Sequence, residues 1–199
     1  MLNAVDDAAV GTLRRGGLVV FPTETVYGMG VDARQPEAVE RLVAVRGRDE
    51  GKPILLLVRD LAMAALVARE ISPAVRRLAA QFWPGPLTLV LPARAGLPAA
   101  LTAGTDTIGV RVSSHPQAAH LVDALDGPLT APSVNPPGAA PAQTIAAARG
   151  YFAAAVDCYL EGGVLAGGAS TGAVAAGNTV RVLRAGPISA DALHRALEG

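Results

Sequence analysis

Only one of the 199 residues, Cys158, is a cysteine. That excludes an intramolecular disulfide framework and any thiolate-rich zinc site, and it fits a reducing compartment. Aromatic residues make up 4% of the chain, too few for the rings on which single-stranded nucleic acids stack. Charge is sparse and balanced, with 17 Lys+Arg against 17 Asp+Glu. Bulk charge therefore excludes a strongly basic nucleic-acid binder while leaving room for a local basic patch. No apolar run reaches the roughly 18 residues of a membrane-spanning helix. The opening stretch, Met1 to Val10, carries Asp6 and Asp7 and no basic segment, unlike a signal peptide. What the chain does have is apolar bulk: 51% hydrophobic residues against 17% charged, which argues against disorder. The expectation is a cytoplasmic α/β protein, one domain over residues 1–199, with a core that needs no staples.

Strand and helix signals interleave, which indicates an α/β or α+β layered domain. Gly17 to Phe21 reads as a buried strand halted by Pro22, and Ile54 to Val58 as a second. Further strands are expected at Leu87 to Leu91, Ile108 to Val112, Ala153 to Leu160 and Thr179 to Leu183. A helix should open at Pro36 and end at Gly47, with Val39, Leu42 and Val43 as its apolar stripe. Leu61 to Glu70 and Ser72 to Phe82 follow, the latter capped by Ser72. Pro116 opens another helix, Thr144 to Gly150 forms a short helix or turn, and Ala190 to Leu197 is a last helix capped by Ser189. The Gly/Ala-rich stretch 162–177 reads as a mobile loop, or as a linker to a C-terminal strand and helix.

Four polar clusters interrupt this pattern. The first, Pro22-Thr-Glu-Thr-Val-Tyr-Gly-Met-Gly30, follows a strand, where open sheets bind ligands. It could equally be a plain turn that needs Gly28 or Gly30 for positive φ. The second, Arg46-Gly-Arg-Asp-Glu-Gly-Lys-Pro53, offers three cations that could wrap phosphate oxygens. The bland reading is a solvated loop with Arg46 capping its own helix. The third, Thr130-Ala-Pro-Ser-Val-Asn-Pro-Pro-Gly138, is a rigid loop of hydroxyl and amide donors, or a simple connection. The fourth comprises Arg111, inside an apolar strand, and Arg184. A cation in a strand interior is costly unless paired, with either a ligand carboxylate or a protein Asp or Glu. No nucleophile–base pair stands out, and His115, His120 and His194 are scattered. The inventory of cations, hydroxyls and an amide suits charge stabilisation better than covalent catalysis.

In order and spacing, these segments together with Phe82-Trp-Pro-Gly-Pro-Leu-Thr88 and Gly109-Val-Arg-Val-Ser-Ser-His-Pro116 resemble the YrdC-like threonylcarbamoyl-AMP synthase family. The likeness runs through core motifs from about residue 13 to 188. It implies a single domain with a twisted, largely mixed sheet of open-barrel character, flanked by helices. It implies ATP-dependent synthesis of L-threonylcarbamoyl-adenylate from L-threonine and bicarbonate, with release of pyrophosphate. Partner proteins would then transfer the group to adenosine 37 of tRNA, so that tRNA is engaged indirectly. By resemblance, Thr25, Arg111, Ala131 and Ser170 would contact threonine. Arg46, Arg48, Ser133 and Asn135 would form the catalytic group around ATP, joined there by Lys52 and Arg184. Mg²⁺ would be held by the phosphates, with no dedicated protein metal site.

The chain departs from the family pattern in places. Arg46 stands where Lys is usual, Asp49 where Pro is common, and Pro136-Pro137 where Ser-Gly is usual. Two other functions are weighed against the synthase. One is a carbamoyl-adenylate module for small-molecule O-carbamoylation, marked by turnover with carbamoyl phosphate but not threonine. The other is an RNA-binding module without ATP chemistry, marked by steeply salt-dependent RNA affinity.

Overall fold

The computed structural model describes residues 4–47, 51–165 and 167–198. The first elements are α1 (Ala4–Arg14), β1 (Val19–Phe21), β2 (Gly28–Gly30), α2 (Pro36–Arg46), β3 (Leu55–Leu57) and α3 (Leu61–Ala64). Then come α4 (Pro73–Phe82), β4 (Leu87–Pro92), α5 (Ala99–Thr102), β5 (Thr107–Arg111), α6 (Pro116–Leu125) and β6 (Leu129–Thr130). The chain closes with α7 (Ile145–Phe152), β7 (Cys158–Tyr159), β8 (Thr171–Ala176), β9 (Thr179–Arg184) and α8 (Ala190–Glu198).

Local chemistry sets many of these boundaries. Ser72 Oγ accepts from Val75 N and Ser189 Oγ from Ala192 N, so both expected caps form. Pro occupies the first turn of α2, α4 and α6, where its missing N–H has no helical partner to lose. α2 ends at Gly47, whose φ of 80° favours glycine.

The strands form two mixed sheets among the described residues, neither closed into a barrel. The smaller has the order β2-β1-β7 and the larger β6-β3-β5-β4-β8-β9. In the larger sheet β3 runs parallel to β5 and β4 parallel to β8, and the other neighbours are antiparallel. Bridges between Gly28 and Ser133 and between Asp32 and Leu129 link the β2 segment to the chain around β6. The core between the layers contains Phe21, Tyr27, Met29, Leu56, Leu57, Leu89 and Val110, all shielded from solvent. Leu89→Ala is expected to cost about 2–5 kcal/mol, because lost apolar burial and the residual cavity add. A denaturant midpoint unchanged from the parent would contradict that placement.

Several expectations need correction. Ala153 to Leu160 is not one strand: Ala153–Ala155 is a 3-10 turn, and only Cys158–Tyr159 pairs, with β1. The helix from Leu61 stops at Ala64 rather than Glu70. Part of the supposed loop 162–177 is β8, hydrogen-bonded to β4 on one side and β9 on the other. Gly28 and Gly30 are strand residues, not turn residues with positive φ. A Cβ on Gly30 would lie 2.7 Å from Phe21 Cε1 and 2.9 Å from Leu129 Cδ1. That position needs glycine for close approach rather than for a turn.

One surface tie has a pH signature. Asp157 accepts from Leu18 N (2.7 Å) and from both terminal nitrogens of Arg41 (2.7 and 3.1 Å), joining α2 to the start of β1. The Arg41 hydrogen bonds hold the Asp157 carboxyl below the usual carboxylate range, against a smaller opposing effect of burial. A depressed folded-state pKa contributes stability above the unfolded value, about 3.9, and that contribution is lost as pH falls through the folded pKa. Asp157→Asn should therefore lower Tm at neutral pH, with the difference shrinking in acid below about pH 4. A pH-independent difference would show that charge is not what this tie contributes.

Candidate functional site

One cavity of about 730 Å³ opens between the C-terminal end of β5, the β8–β9 pair and the loops after β1, α2 and β6. Of the residues singled out from sequence, Thr25, Arg46, Lys52, Arg111, Ala131, Ser133, Ser170 and Arg184 line it. Six separate segments of chain thus converge on one space. Arg48 lies outside the described residues, as does Asp49.

Arg111 is the last residue of β5 and is 2% exposed. Its Nη1 donates to Thr25 Oγ1 at 3.0 Å. Thr25 Oγ1 in turn lies 2.9 Å from Thr23 Oγ1, which donates to Val26 O at 2.7 Å. The partner left open by the sequence is a protein carboxylate: Glu24 Oε1 sits 3.5 Å from Arg111 Nη1. The other carboxylate oxygen of Glu24 accepts from the Ser113 hydroxyl. Burial lowers the Arg111 pKa, the Glu24 charge opposes that, and the Arg184 charge adds to the lowering. Arg111 Nε is buried with no hydrogen-bond partner among the described residues, so the guanidinium retains unused donor capacity.

Arg184 closes β9 and lines the same cavity. Its Nε donates to Ser170 O (2.9 Å) and its Nη2 to Ser170 Oγ (2.8 Å). Thr88 Oγ1 lies 2.8 Å from the same Ser170 hydroxyl. Strand register explains the grouping: Thr88 pairs with Gly172, and Gly172 with Arg184, so all three align across β4, β8 and β9. Partial burial lowers the Arg184 pKa as well. Two guanidinium groups thus face one cavity, a favourable arrangement for an anion.

Arg46, at the end of α2, reaches out of its own helix. Its Nε donates to Ser133 O at 2.9 Å, tying the basic segment to the hydroxyl-rich loop. Exposed Lys52 lines the same side. Ala131 donates its N–H to Leu55 O (2.8 Å), so it offers a ligand no backbone donor. Asn135 is not among the lining residues. Its Nδ2 donates to Pro136 O (3.0 Å) and Ala139 O (2.9 Å), bracing the loop behind Ser133.

Sequence reasoning gave no role to Thr88, which lines the cavity, or to Glu24 and Ser113, which stand behind Arg111 and are not among the lining residues. Their signal was adjacency: Glu24 precedes Thr25, Ser113 lies two residues beyond Arg111, and Thr88 ends the Trp-Pro-Gly-Pro segment. The segment after β7 also contributes. Tyr27 OH accepts from Gly162 N and donates to Gly163 O, both at 2.9 Å. A Cβ on Gly167 would fall 2.6 Å from Thr25 O, so Gly167 lies directly on the Thr25 backbone. His115 stands near Glu24 with its pKa lowered chiefly by burial. Burial likewise pushes the Cys158 thiol up, away from reactivity. Among the described residues, no group of three or more His, Cys, Asp or Glu could hold a metal ion, and no helix is long and apolar enough to cross a membrane.

The Sua5/YciO/YrdC family model, described as telomere recombination, matches residues 11–186. The threonylcarbamoyl-AMP synthase of Halorhodospira halophila is 40% identical, over 77% of this chain and 81% of that protein. The threonylcarbamoyl-AMP synthase of Xanthomonas euvesicatoria is 36% identical, over 96% of this chain and all of its own length (100%). The crystal structure of Pyrococcus abyssi Sua5 in complex with L-threonine superposes with a TM-score of 0.90 at 33% identity, covering 96% of this chain and 56% of that longer one.

Proposed function

The chain belongs to the Sua5/YciO/YrdC family, and from that premise we propose that it makes L-threonylcarbamoyl-adenylate from L-threonine, bicarbonate and ATP, releasing pyrophosphate. The observation that carries this reading is the convergence of Arg46, Lys52 and Arg184 with the buried Arg111 on one cavity. At about 730 Å³ it lies within the range of small-molecule sites.

In this reaction the threonine amine bonds to the carbon of bicarbonate with loss of water, giving a carbamate. A carbamate oxygen then attacks the α-phosphorus of ATP. The bond from that phosphorus to the bridging oxygen breaks, and pyrophosphate departs. Two anions must meet, so catalysis rests on positioning and on cations that offset their repulsion. Arg111, with the Thr25 hydroxyl beside it, holds the threonine carboxylate; Ala131 and Ser170 border the same ligand. Arg46, Lys52, Arg184 and Ser133 surround the phosphates, and Arg48 belongs with them by its motif. Asn135 acts through the loop it braces. Mg²⁺, held by the phosphates of ATP, supplies further charge neutralisation when bound. The product is a mixed anhydride that hydrolyses readily in water, so transferase proteins acting on tRNA are its natural consumers.

With Mg²⁺ present, pyrophosphate release from ATP is expected to require both threonine and bicarbonate. Release that is absent, or that is indifferent to threonine, would overturn the proposal.

A further inference from the structure

The carboxylate nearest the proposed threonine subsite belongs to the protein itself. Glu24 lies within 3.5 Å of Arg111, close enough to compete with a substrate carboxylate for the same guanidinium. Yet Glu24 Oε1 makes no hydrogen bond among the described residues, and neither does Arg111 Nε, although both atoms are buried. A free carboxylate beside a buried guanidinium would normally close into a bidentate clasp, which is the strongest geometry open to the pair. Here the second oxygen, Oε2, is taken by the Ser113 hydroxyl. Ser113 is 5% exposed, and its Oγ also accepts from His115 N at 3.2 Å, so its own position is fixed at the start of α6.

Resting on the reading of this cavity as a threonine site, we propose that Ser113 is a positioning residue for the substrate carboxylate, acting through Glu24, the restrained counter-charge of Arg111. Ser113 holds Glu24 back. The Glu24 charge then offsets the buried Arg111 cation without a hydrogen bond to it, which leaves for threonine the donor capacity of Arg111 that Thr25 does not use. Glu24 acts through Arg111 and makes no contact with the substrate.

The test is steady-state kinetics of pyrophosphate release, with the KM of each substrate measured separately and Tm recorded for every variant. Ser113→Ala frees Glu24 to clasp Arg111, so the KM for threonine should rise about tenfold while the KM for ATP stays within about twofold. Adding Glu24→Gln to Ser113→Ala removes the competing anion and should recover most of that rise. Glu24→Gln alone should lower the threonine KM, about threefold, and also lower Tm, because the buried cation loses its counter-charge. This single variant tests the idea even if Ser113→Ala fails to fold.

A double variant no better than Ser113→Ala would overturn the proposal. So would a Ser113→Ala variant whose two KM values rise together. A threonine KM raised tenfold or more in Glu24→Gln would overturn it too, showing that Glu24 touches the substrate ammonium. If the parent protein itself shows no threonine-dependent release, the threonine reading fails and this proposal fails with it. A parent that turns over while the variants miss these shifts sinks the positioning role alone.

Discussion

Replacing Arg111 by Ala should raise the KM for L-threonine by about a hundredfold or more while changing the KM for ATP only slightly. Arg111 is 2% exposed, so a carboxylate bound there is shielded from water, and the lost bonds are charge-assisted. Truncating one partner of a buried, hydrogen-bonded charge pair costs about 2–5 kcal/mol, and 1.4 kcal/mol is a factor of ten. The same change leaves Glu24 without its cation, so Tm must be followed to separate folding from binding. Arg111→Lys should recover little, because an ammonium cannot reproduce the planar fork. An unchanged threonine KM in a folded Arg111→Ala variant would remove the carboxylate assignment.

The second large effect is expected at Arg46. This side chain joins the end of α2 to Ser133 and borders the cavity where the phosphates of ATP are assigned. Arg46→Ala should lower kcat by about 10²–10³-fold, the scale for losing one preorganised group that stabilises transition-state charge. Arg46→Lys keeps the charge but gives up the Nε bond to Ser133 O. It should fall within about tenfold of the parent if charge is the main contribution. Should Arg46→Ala retain full kcat, the basic segment would have no part in the chemistry.

The sequence disclosed the chemistry of the site better than its geometry. Arg111 was conspicuous because a cation in an apolar strand demands a partner, and Arg46, Ser133 and Lys52 were conspicuous as clustered donors. Their meeting in one cavity could not be read from spacing, since they come from separate elements. The identity of the Arg111 partner was open for the same reason: Glu24 is distant in sequence and approaches only once β1 and β5 are in place. Asn135 was grouped with Ser133, yet its amide turns inward to the Pro136 and Ala139 carbonyls.

The fold shows a similar division. Strands carried by Val, Leu and Ile were legible, as were helices opened by Pro or capped by Ser. β8 was not, because Thr-Gly-Ala-Val-Ala-Ala has little branched bulk and no alternation. It is a strand because β4 and β9 satisfy its backbone on both sides. β6, at two residues, is too short to carry a pattern, and β2, Gly-Met-Gly, has no branched residue to mark it as extended. The supposed strand from Ala153 failed because its apolar residues include a run of Ala, which favours compact turns as readily as extension.

On the proposed function, one cavity joins threonine, bicarbonate and ATP. The measurement closest to it is mass spectrometry of the products formed from ATP, L-threonine and ¹³C-bicarbonate with Mg²⁺. The expected product is an adenylate that contains threonine and carries the ¹³C label, formed only when all three substrates are present. ADP as the nucleotide product, or AMP formed as fast without threonine or bicarbonate as with them, would contradict it.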